Sequence, residues 1–356
     1  MDISTRINAF SELSKFLLTV SENKSSQNLP EKYKKHYIIF EKIIENEYIN
    51  NGWFVSENIK YALKSIALAS TKEKLTKWLA PYNEKLQNSK KKIIAVILAG
   101  NIPIVGFHDF ISVLISGNIF LGKLSSKDKK LMYALKDILL EIEPKFKDYI
   151  NLTTEKLTNF DAVIATGSDN STRYFKYYFG KYPHIIRSNR NSIAVLTGEE
   201  TKDDFDKLAT DIFMYFGLGC RSISKIFVPE NYNFDKFYEG IFKYKNIIEH
   251  NKYANNYTYN RTIYLMKKSK FYDNGFLMLV NSTNISSPIS VLFFEYYSNI
   301  ENLSKYLNHQ KNKIQCVVSK TQLKDTDVIS FGKTQQPELW DYADNIDILE
   351  FIISIT

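Results

Sequence analysis

Ile93-Ile94-Ala95-Val96-Ile97-Leu98-Ala99-Gly100-Asn101-Ile102-Pro103 is the stretch on which the fold turns. Its first six residues are apolar without alternation, which describes a strand covered on both faces, as in a parallel sheet. The run is too short for an ordinary helix. Lys90-Lys91-Lys92 before it and Gly100-Asn101 after it punctuate both ends.

Working outward toward the C-terminus, the same texture repeats. A helix is expected across Phe107 to Leu114, then a second strand at Gly117 to Lys123. Asp128 to Ile142 reads as an amphipathic helix closed by Pro144. Asp161 to Ala165 makes a third strand, running through Thr166-Gly167-Ser168 into a helix from about Thr172. Strands alternating with helices imply right-handed crossover units and a parallel sheet with helices on its faces. Ligands of such sheets sit beyond the carboxyl ends of the strands, where the turns beginning at Gly100, Lys123 and Thr166 lie.

A second block follows. Ser192 to Leu196 is a strand, Asp203 to Phe216 a helix, Gly217-Leu218-Gly219-Cys220 a turn and Ser224 to Val228 another strand. Ile289 to Phe294 and Ile314 to Val318 add sheet, and the Asn- and Tyr-rich stretch Tyr253 to Tyr264 reads as a loop. Toward the N-terminus the first ninety or so residues look helical. Apolar residues recur at helix spacing in Ile7, Phe10, Leu13 and Leu17, and in Tyr37, Phe40, Ile43 and Ile44. Pro30 opens a helix after the loop Ser25 to Asn28, and Asn51-Gly52 and Ala80-Pro81 mark breaks.

Bulk composition excludes several classes. A chain of 356 residues buries a substantial core and suggests two domains, or three. Its net charge of +8 comes from lysines scattered among acids, as in Glu84-Lys85 and Asp203-Asp204-Phe205-Asp206-Lys207, which argues against a nucleic-acid footprint. A phosphate-rich small molecule such as coenzyme A or NADP suits that modest excess. Two cysteines, Cys220 and Cys316, make no disulfide framework and no metal spacing, and His36, His184, His250 and His309 form no ligand cluster, so no metal is expected. Met1 to Arg6 lacks the basic start and apolar run of a signal peptide, and no apolar run reaches membrane-spanning length. The expected location is a reducing cytoplasm.

Chemistry concentrates at the turns. Cys220 lies between a helix and a strand with glycines before it, which let the chain turn sharply and a ligand approach the backbone. A thiol there, near Arg221 and peptide N–H groups, can react as thiolate, although a lone cysteine is more often a small buried hydrophobe. Cys316, flanked by Ile314, Val317 and Val318, suits that plainer role better. Asn101 at a strand end can donate to a developing oxyanion, or simply serve a turn. Lys123, with Ser125 and Ser126, can grip a ribose or phosphate, or be a solvated lysine. Thr166-Gly167-Ser168 can present N–H groups to a pyrophosphate at a helix start, without a full Gly-x-Gly-x-x-Gly.

In order and spacing these elements resemble the aldehyde dehydrogenase superfamily. The likeness lies in Gly117-Asn118…Lys123-Leu124-Ser125, in Thr166 to Ser168, and in Gly217 to Val228, where Lys225 replaces an arginine. Within the superfamily the chain is most similar to acyl-CoA reductases of the type that supplies aldehyde in bacterial bioluminescence. Ala99-Gly100-Asn101-Ile102-Pro103 and the tail Phe331-Gly332…Gln335-Gln336-Pro337…Asp341-Tyr342-Ala343-Asp344 carry that likeness, which runs from about Lys92 to Leu349.

The resemblance implies an α/β fold, aldehyde dehydrogenase-like: a helical region (1–89), a Rossmann-like parallel-sheet cofactor domain (90–189), an α/β catalytic domain with the nucleophilic cysteine (190–330), and a C-terminal segment (331–356) returning to the cofactor domain. It makes Cys220 the nucleophile of an acyl-enzyme thioester and Asn101 the oxyanion donor, with Lys123, Ser125, Ser126, Thr166, Gly167 and Ser168 binding cofactor. His108 is a candidate for delivering a proton to the aldehyde oxygen, although a helix-face histidine is more often structural.

Aldehyde-oxidising relatives carry a water-activating glutamate where this chain has Ile186-Arg187-Ser188-Asn189-Arg190-Asn191, with no carboxylate. Without a base, exchange with a thiol outruns hydrolysis, which favours reduction of acyl-CoA to aldehyde with coenzyme A leaving. A second familiar glutamate, ahead of a Gly-Pro, is missing too: Asn284-Ile285-Ser286-Ser287 precedes Pro288. Ser126, followed by Lys127, stands where NAD-preferring relatives often have a glutamate, so NADPH is expected over NADH. The acyl donor is acyl-CoA or an acyl-carrying partner protein, and a homo-oligomer is expected. Two other readings stay open: a reductase of acyl phosphates or small aldehydes in the same superfamily, and a non-catalytic acyl- or nucleotide-binding subunit.

Overall fold

Apolar residues at intervals of three and four force the N-terminal region into helices that hide one stripe each. In the computed structural model, which describes residues 1–87 and 90–355, these are α1 (Ile3–Ser21), α2 (Glu31–Asn50), α3 (Ser56–Ala69), α4 (Lys72–Leu79) and α5 (Asn83–Gln87). Asp2 caps α1 by accepting the Thr5 N–H at 2.7 Å, and Thr71 caps α4. Pro30 stands just ahead of the first residue of α2. Phe16 of α1 meets Tyr33 and Phe40 of α2 edge-on, with ring centres 6.1 and 5.6 Å apart.

The chain divides into two compact units, Met1–Ser188 with Gln336–Thr356, and Asn189–Gln335. In the first, the helices join a five-stranded sheet of β1 (Ile93–Ile97), β2 (Ile119–Lys123), β3 (Ile150–Thr153), β4 (Ala162–Thr166) and β5 (His184–Arg187). The strands run in the order β3-β2-β1-β4-β5 and every pairing is parallel. The crossovers use α6 (Phe107–Ile115), α7 (Lys130–Ile142) and α8 (Asp169–Phe179). The order reverses direction between β1 and β4, which creates a crevice at their carboxyl ends.

Sequence reading missed β3 and β5. Both are edge strands of four residues, and Ile150-Asn151-Leu152-Thr153 buries only its first residue fully, so no continuous apolar run marks it. The α7 helix starts at Lys130 rather than Asp128, because Asp128 is drawn inward to accept the Ile104 N–H. Likewise α8 starts at Asp169, three residues ahead of Thr172, because Ser168 caps it.

The second unit holds β6 (Asn191–Val195), α9 (Lys202–Phe213), β7 (Ile223–Pro229), α10 (Phe234–Ile241), α11 (Asn251–Met266), β8 (Tyr272–Asp273), β9 (Met278–Asn281), β10 (Val291–Tyr297), α12 (Ile300–His309), β11 (Ile314–Ser319) and β12 (Val328–Ile329). Its sheet runs β12-β11-β6-β7-β10-β9-β8, parallel except where β8 meets β9. Ala194, Ile226, Val228 and Leu292 pack with Leu208 and Ile212 of α9 and Phe237 of α10. Ile193, Val195 and Phe227 pack with Leu303 and Leu307 of α12.

Two expectations need correction here. The stretch Tyr253 to Tyr264 is no loop; it lies inside α11. Tertiary bonds overcome its poor helix formers: Tyr253 donates to the Phe276 carbonyl, Asn260 to that of Ile289, and Tyr257 to Asp273. The helix expected over Asp203 to Phe216 ends at Phe213, because Tyr215 and Phe216 adopt left-handed conformations.

Phe331 to Gln335 stay with the second unit, and the chain rejoins the first at Gln336, whose amide donates to the Tyr61 hydroxyl. The resemblance implies a return five residues earlier, at Phe331. The last helix, α13 (Ile348–Ser354), buries Ile348, Leu349 and Ile352 in the core of the first unit. Among the described residues no helix is long and apolar enough to cross a membrane.

Candidate active site

In the first unit the carboxyl ends of β2, β1 and β4 lie side by side, with Ile97 paired to Lys123 on one flank and to Ala165 on the other. The Asn101 loop therefore leaves the sheet between the Lys123 turn and the Thr166 turn. Asn101, Ser126, Lys127 and Ser168 are exposed, while Lys123, Ser125 and Thr166 are half-buried. The Lys123 ammonium has no hydrogen-bond or ion-pair partner among the described residues. The structure thus gathers Asn101, Lys123, Ser125, Ser126, Thr166, Gly167 and Ser168 along one edge.

Each turn is held locally. Ser168 caps α8, its hydroxyl accepting the Ser171 N–H at 3.4 Å. A Cβ at Gly167 would come within 2.8 Å of Phe175 and Ser171, so only glycine lets α8 pack back here. A Cβ at Gly100 would come within 2.5 Å of the Ser125 hydroxyl oxygen. Asn51, buried at the end of α2, sends its amide toward the carbonyls of Gly100 and Lys127, at 3.4 Å each. Burial above all, with Glu47 nearby, pushes the Asp128 carboxyl up to about 7.

His108 is placed differently. Its Nε2 lies 2.8 Å from the Leu339 carbonyl, which can only accept, so that nitrogen carries the proton. Trp78 and Tyr342 pack against the ring, with centres at 5.7 and 5.5 Å. The surroundings are those of a structural histidine that ties the C-terminal segment to α6.

Arg187, unassigned from sequence, ends β5 inside the carboxylate-free stretch. Its two terminal nitrogens take the two oxygens of Asp109 on α6, each at 2.9 Å, and one also reaches Thr166 Oγ1 at 3.3 Å. Both partners are buried. The fork-to-fork geometry compensates the charge and fixes Thr166 at the sheet edge. A sequence signal existed: an arginine at a strand end calls for an acid, but the acid lies 78 positions away.

In the second unit Cys220 is exposed, in the turn between α9 and β7. Tyr215, Phe216 and Gly217 take φ of 54°, 58° and 76°, a left-handed run that bends the chain sharply before the thiol. Two of them are not glycine, so packing must carry the strain: both rings are buried, and Phe216 lies against His250 with ring centres 4.2 Å apart. Ser192 donates to the Cys220 carbonyl at 2.9 Å, and Gln335 reaches the Ser222 hydroxyl at 3.3 Å. Gln335 is placed by Asp211, fully buried, which accepts from the Gly332 N–H, the Thr334 N–H and the Thr334 hydroxyl. Burial outweighs those bonds and pushes the Asp211 carboxyl up to about 6.

Arg221 sends one nitrogen to Cys316 Sγ, at 3.3 Å across to β11. Cys316 is buried, as its sequence setting led one to expect. Lys225, also buried, meets Glu295 of β10 at 2.5 Å and lies over the Phe227 ring. Among the described residues no group of three or more His, Cys, Asp or Glu side chains is disposed to hold a metal.

The profile of the family described as acyl-CoA reductase (LuxC) matches residues 19–241. No curated protein matches. Among solved structures, aldehyde dehydrogenase 21 from Physcomitrella patens, in complex with succinate, is similar with a TM-score of 0.61 at 12% identity, over 99% of this chain and 87% of that one. An oxidoreductase from Marinobacter aquaeolei gives 0.62 at 12% identity, over 95% and 79%. An aldehyde dehydrogenase from Mycobacterium tuberculosis complexed with NAD+ gives 0.59 at 11% identity, over 91% and 77%. At such identities the likeness is one of fold, and the fold is that of the aldehyde dehydrogenases.

Proposed function

The chain belongs to the acyl-CoA reductase (LuxC) family, a family of oxidoreductases, and we propose that it reduces a fatty acyl-CoA to the aldehyde through a thioester on Cys220. The observation that carries the reading is that the stretch matched by the family, 19–241, contains both the exposed Cys220 turn and the polar sheet edge from Asn101 to Ser168.

In the cycle Cys220 attacks the thioester carbonyl as thiolate. Its sulfur forms a bond to the acyl carbon, the bond to the coenzyme A sulfur breaks, and coenzyme A leaves as a thiol after taking a proton. Asn101 and the Cys220 N–H are assigned to the oxyanion. When bound, a nicotinamide cofactor supplies the hydride that takes the acyl-enzyme to the aldehyde level. Cys220 is then the leaving group and returns to thiolate. An acyl-carrying partner protein is the alternative donor.

The residues at the sheet edge fit such a cofactor. Lys123 offers an ammonium that is unengaged among the described residues, Ser125 and Ser126 offer hydroxyls, and the first turn of α8 after Gly167 offers N–H groups and a positive dipole end. Exposed Ser126 and Lys127 support NADPH over NADH, since the serine does not repel a 2′-phosphate and the lysine attracts it. His108 is left out of the cycle, because its Nε2 proton is committed to Leu339. Arg187 takes no part in proton transfer, as Asp109 occupies it; nothing in its stretch activates water.

The test is a coupled NADPH-oxidation assay across acyl-CoA chain lengths, with acyl phosphates and small aldehydes alongside. Turnover of long-chain acyl-CoA above the others supports the reading. Turnover of acyl phosphate or aldehyde alone, or binding without turnover, overturns it.

A further inference from the structure

We propose that Asp128 is a positioning residue that holds the Asn101 loop and clamps it to the Lys123–Ser126 turn; this rests on the oxyanion role assigned to Asn101 above. Asp128 lies in the loop between β2 and α7 and is 3% exposed. Its Oδ2 accepts the Ile104 N–H at 2.7 Å, while its Oδ1 is buried with no hydrogen-bond partner among the described residues. A carboxyl placed for core stability alone would not leave one oxygen unsatisfied, which ordinarily costs about 1–3 kcal/mol.

The partner explains the expense. Ile104 is β-branched and 2% exposed, yet its φ is +52°, a conformation that such residues rarely adopt. Something has to hold it there. Asp128 fixes its N–H, and its carbonyl accepts the Phe107 N–H at 3.0 Å, at the start of α6. The turn so pinned begins three residues after Asn101 and sets the direction in which the 101–106 loop leaves β1. Asn51 fastens the other side by reaching the Gly100 and Lys127 carbonyls together. Two loops that follow neighbouring strands are thereby joined, and Asn101 sits between the two fastenings.

The test is a double-mutant cycle read in single-turnover acylation of Cys220 by a radiolabelled long-chain acyl-CoA. Asn101→Ala is expected to slow acylation by about 100- to 1,000-fold, as loss of an oxyanion donor does. Asp128→Ala is expected to slow it by about 10- to 100-fold through misplacement, and to have no further effect in the Asn101→Ala background. A loss from Asp128→Ala that is as large in both backgrounds, or absent in the first, overturns the positioning role while leaving the oxyanion assignment standing. An unimpaired Asn101→Ala overturns both. Should Asp128→Ala fail to fold, Asp128→Asn carries the test, because its amide oxygen still accepts the Ile104 N–H. Acylation within about twofold of the parent supports the clamp, and a rate as low as that of Asn101→Ala contradicts it.

Discussion

Arg187 holds Asp109 through two parallel hydrogen bonds of 2.9 Å, buried beneath the carboxyl ends of β4 and β5. A pair of this kind contributes little net stability over an apolar pair, yet leaves an uncompensated charge when one member goes. Arg187→Leu or Asp109→Leu should therefore cost about 3–5 kcal/mol in urea unfolding, and the double substitution markedly less than the two losses added. Additive losses would show that the two residues do not act as a pair.

Burial gives Asp128 and Asp211 a distinctive pH signature. In the unfolded chain both ionise near the ordinary 3.8, whereas in the folded chain they keep the proton to about 7 and about 6. Between those limits the folded state binds more protons, so their contribution to stability falls as pH rises from about 4 and levels off above about 7. For Asp128 the full change is on the order of 4 kcal/mol. Urea midpoints measured from pH 5 to pH 8 should decline, and Asp128→Asn should flatten the decline by its share. An equal slope in the variant would show that Asp128 is ionised throughout.

With no base in the stretch 186–191, the Cys220 thioester should resist water. Acyl-enzyme isolated without reductant should persist for many minutes in buffer and discharge within seconds when coenzyme A or another thiol is added. Rapid release of free acid in buffer alone would reveal a base that this account does not contain.

Cofactor preference follows from charge at the end of β2. Ser126→Glu places a carboxylate in the turn that follows Lys123, next to Lys127 in sequence, where it repels a 2′-phosphate and accepts from a 2′-hydroxyl. KM for NADPH should rise at least about tenfold while KM for NADH falls. An unchanged ratio would place the ribose elsewhere.

Much of this was legible in the sequence, for identifiable reasons. Short apolar segments, continuous in β1 and interrupted by Lys225 in β7, announced β1, β2, β4, β6 and β7, and Gly, Asn and Ser punctuation located the turns at the carboxyl ends of β1, β2 and β4. Four-residue edge strands such as β3 and β5 carry no such signal. Composition misread α11, because Asn and Tyr disfavour a helix until Tyr253 and Asn260 find partners on other elements. At the candidate site, the exposed residues that carry the proposal, Cys220 and Asn101, stand out in the sequence because they sit beside glycines at turns. Buried residues bonded to distant parts of the chain do not stand out in this way. Arg187, Asp128 and Asp211 each owe their role to a partner distant in sequence or to a backbone conformation that no motif records.

Cys220 is the centre of the account, and covalent labelling tests it most directly. The parent chain incubated with radiolabelled fatty acyl-CoA and no reductant should retain about one acyl group per chain, sensitive to neutral hydroxylamine as a thioester is, and lose it on addition of NADPH with release of aldehyde. Cys220→Ser, folded as judged by circular dichroism, should retain none, while Cys316→Ser should label like the parent. Thioester label persisting in Cys220→Ser, or vanishing in Cys316→Ser alone, would contradict the assignment.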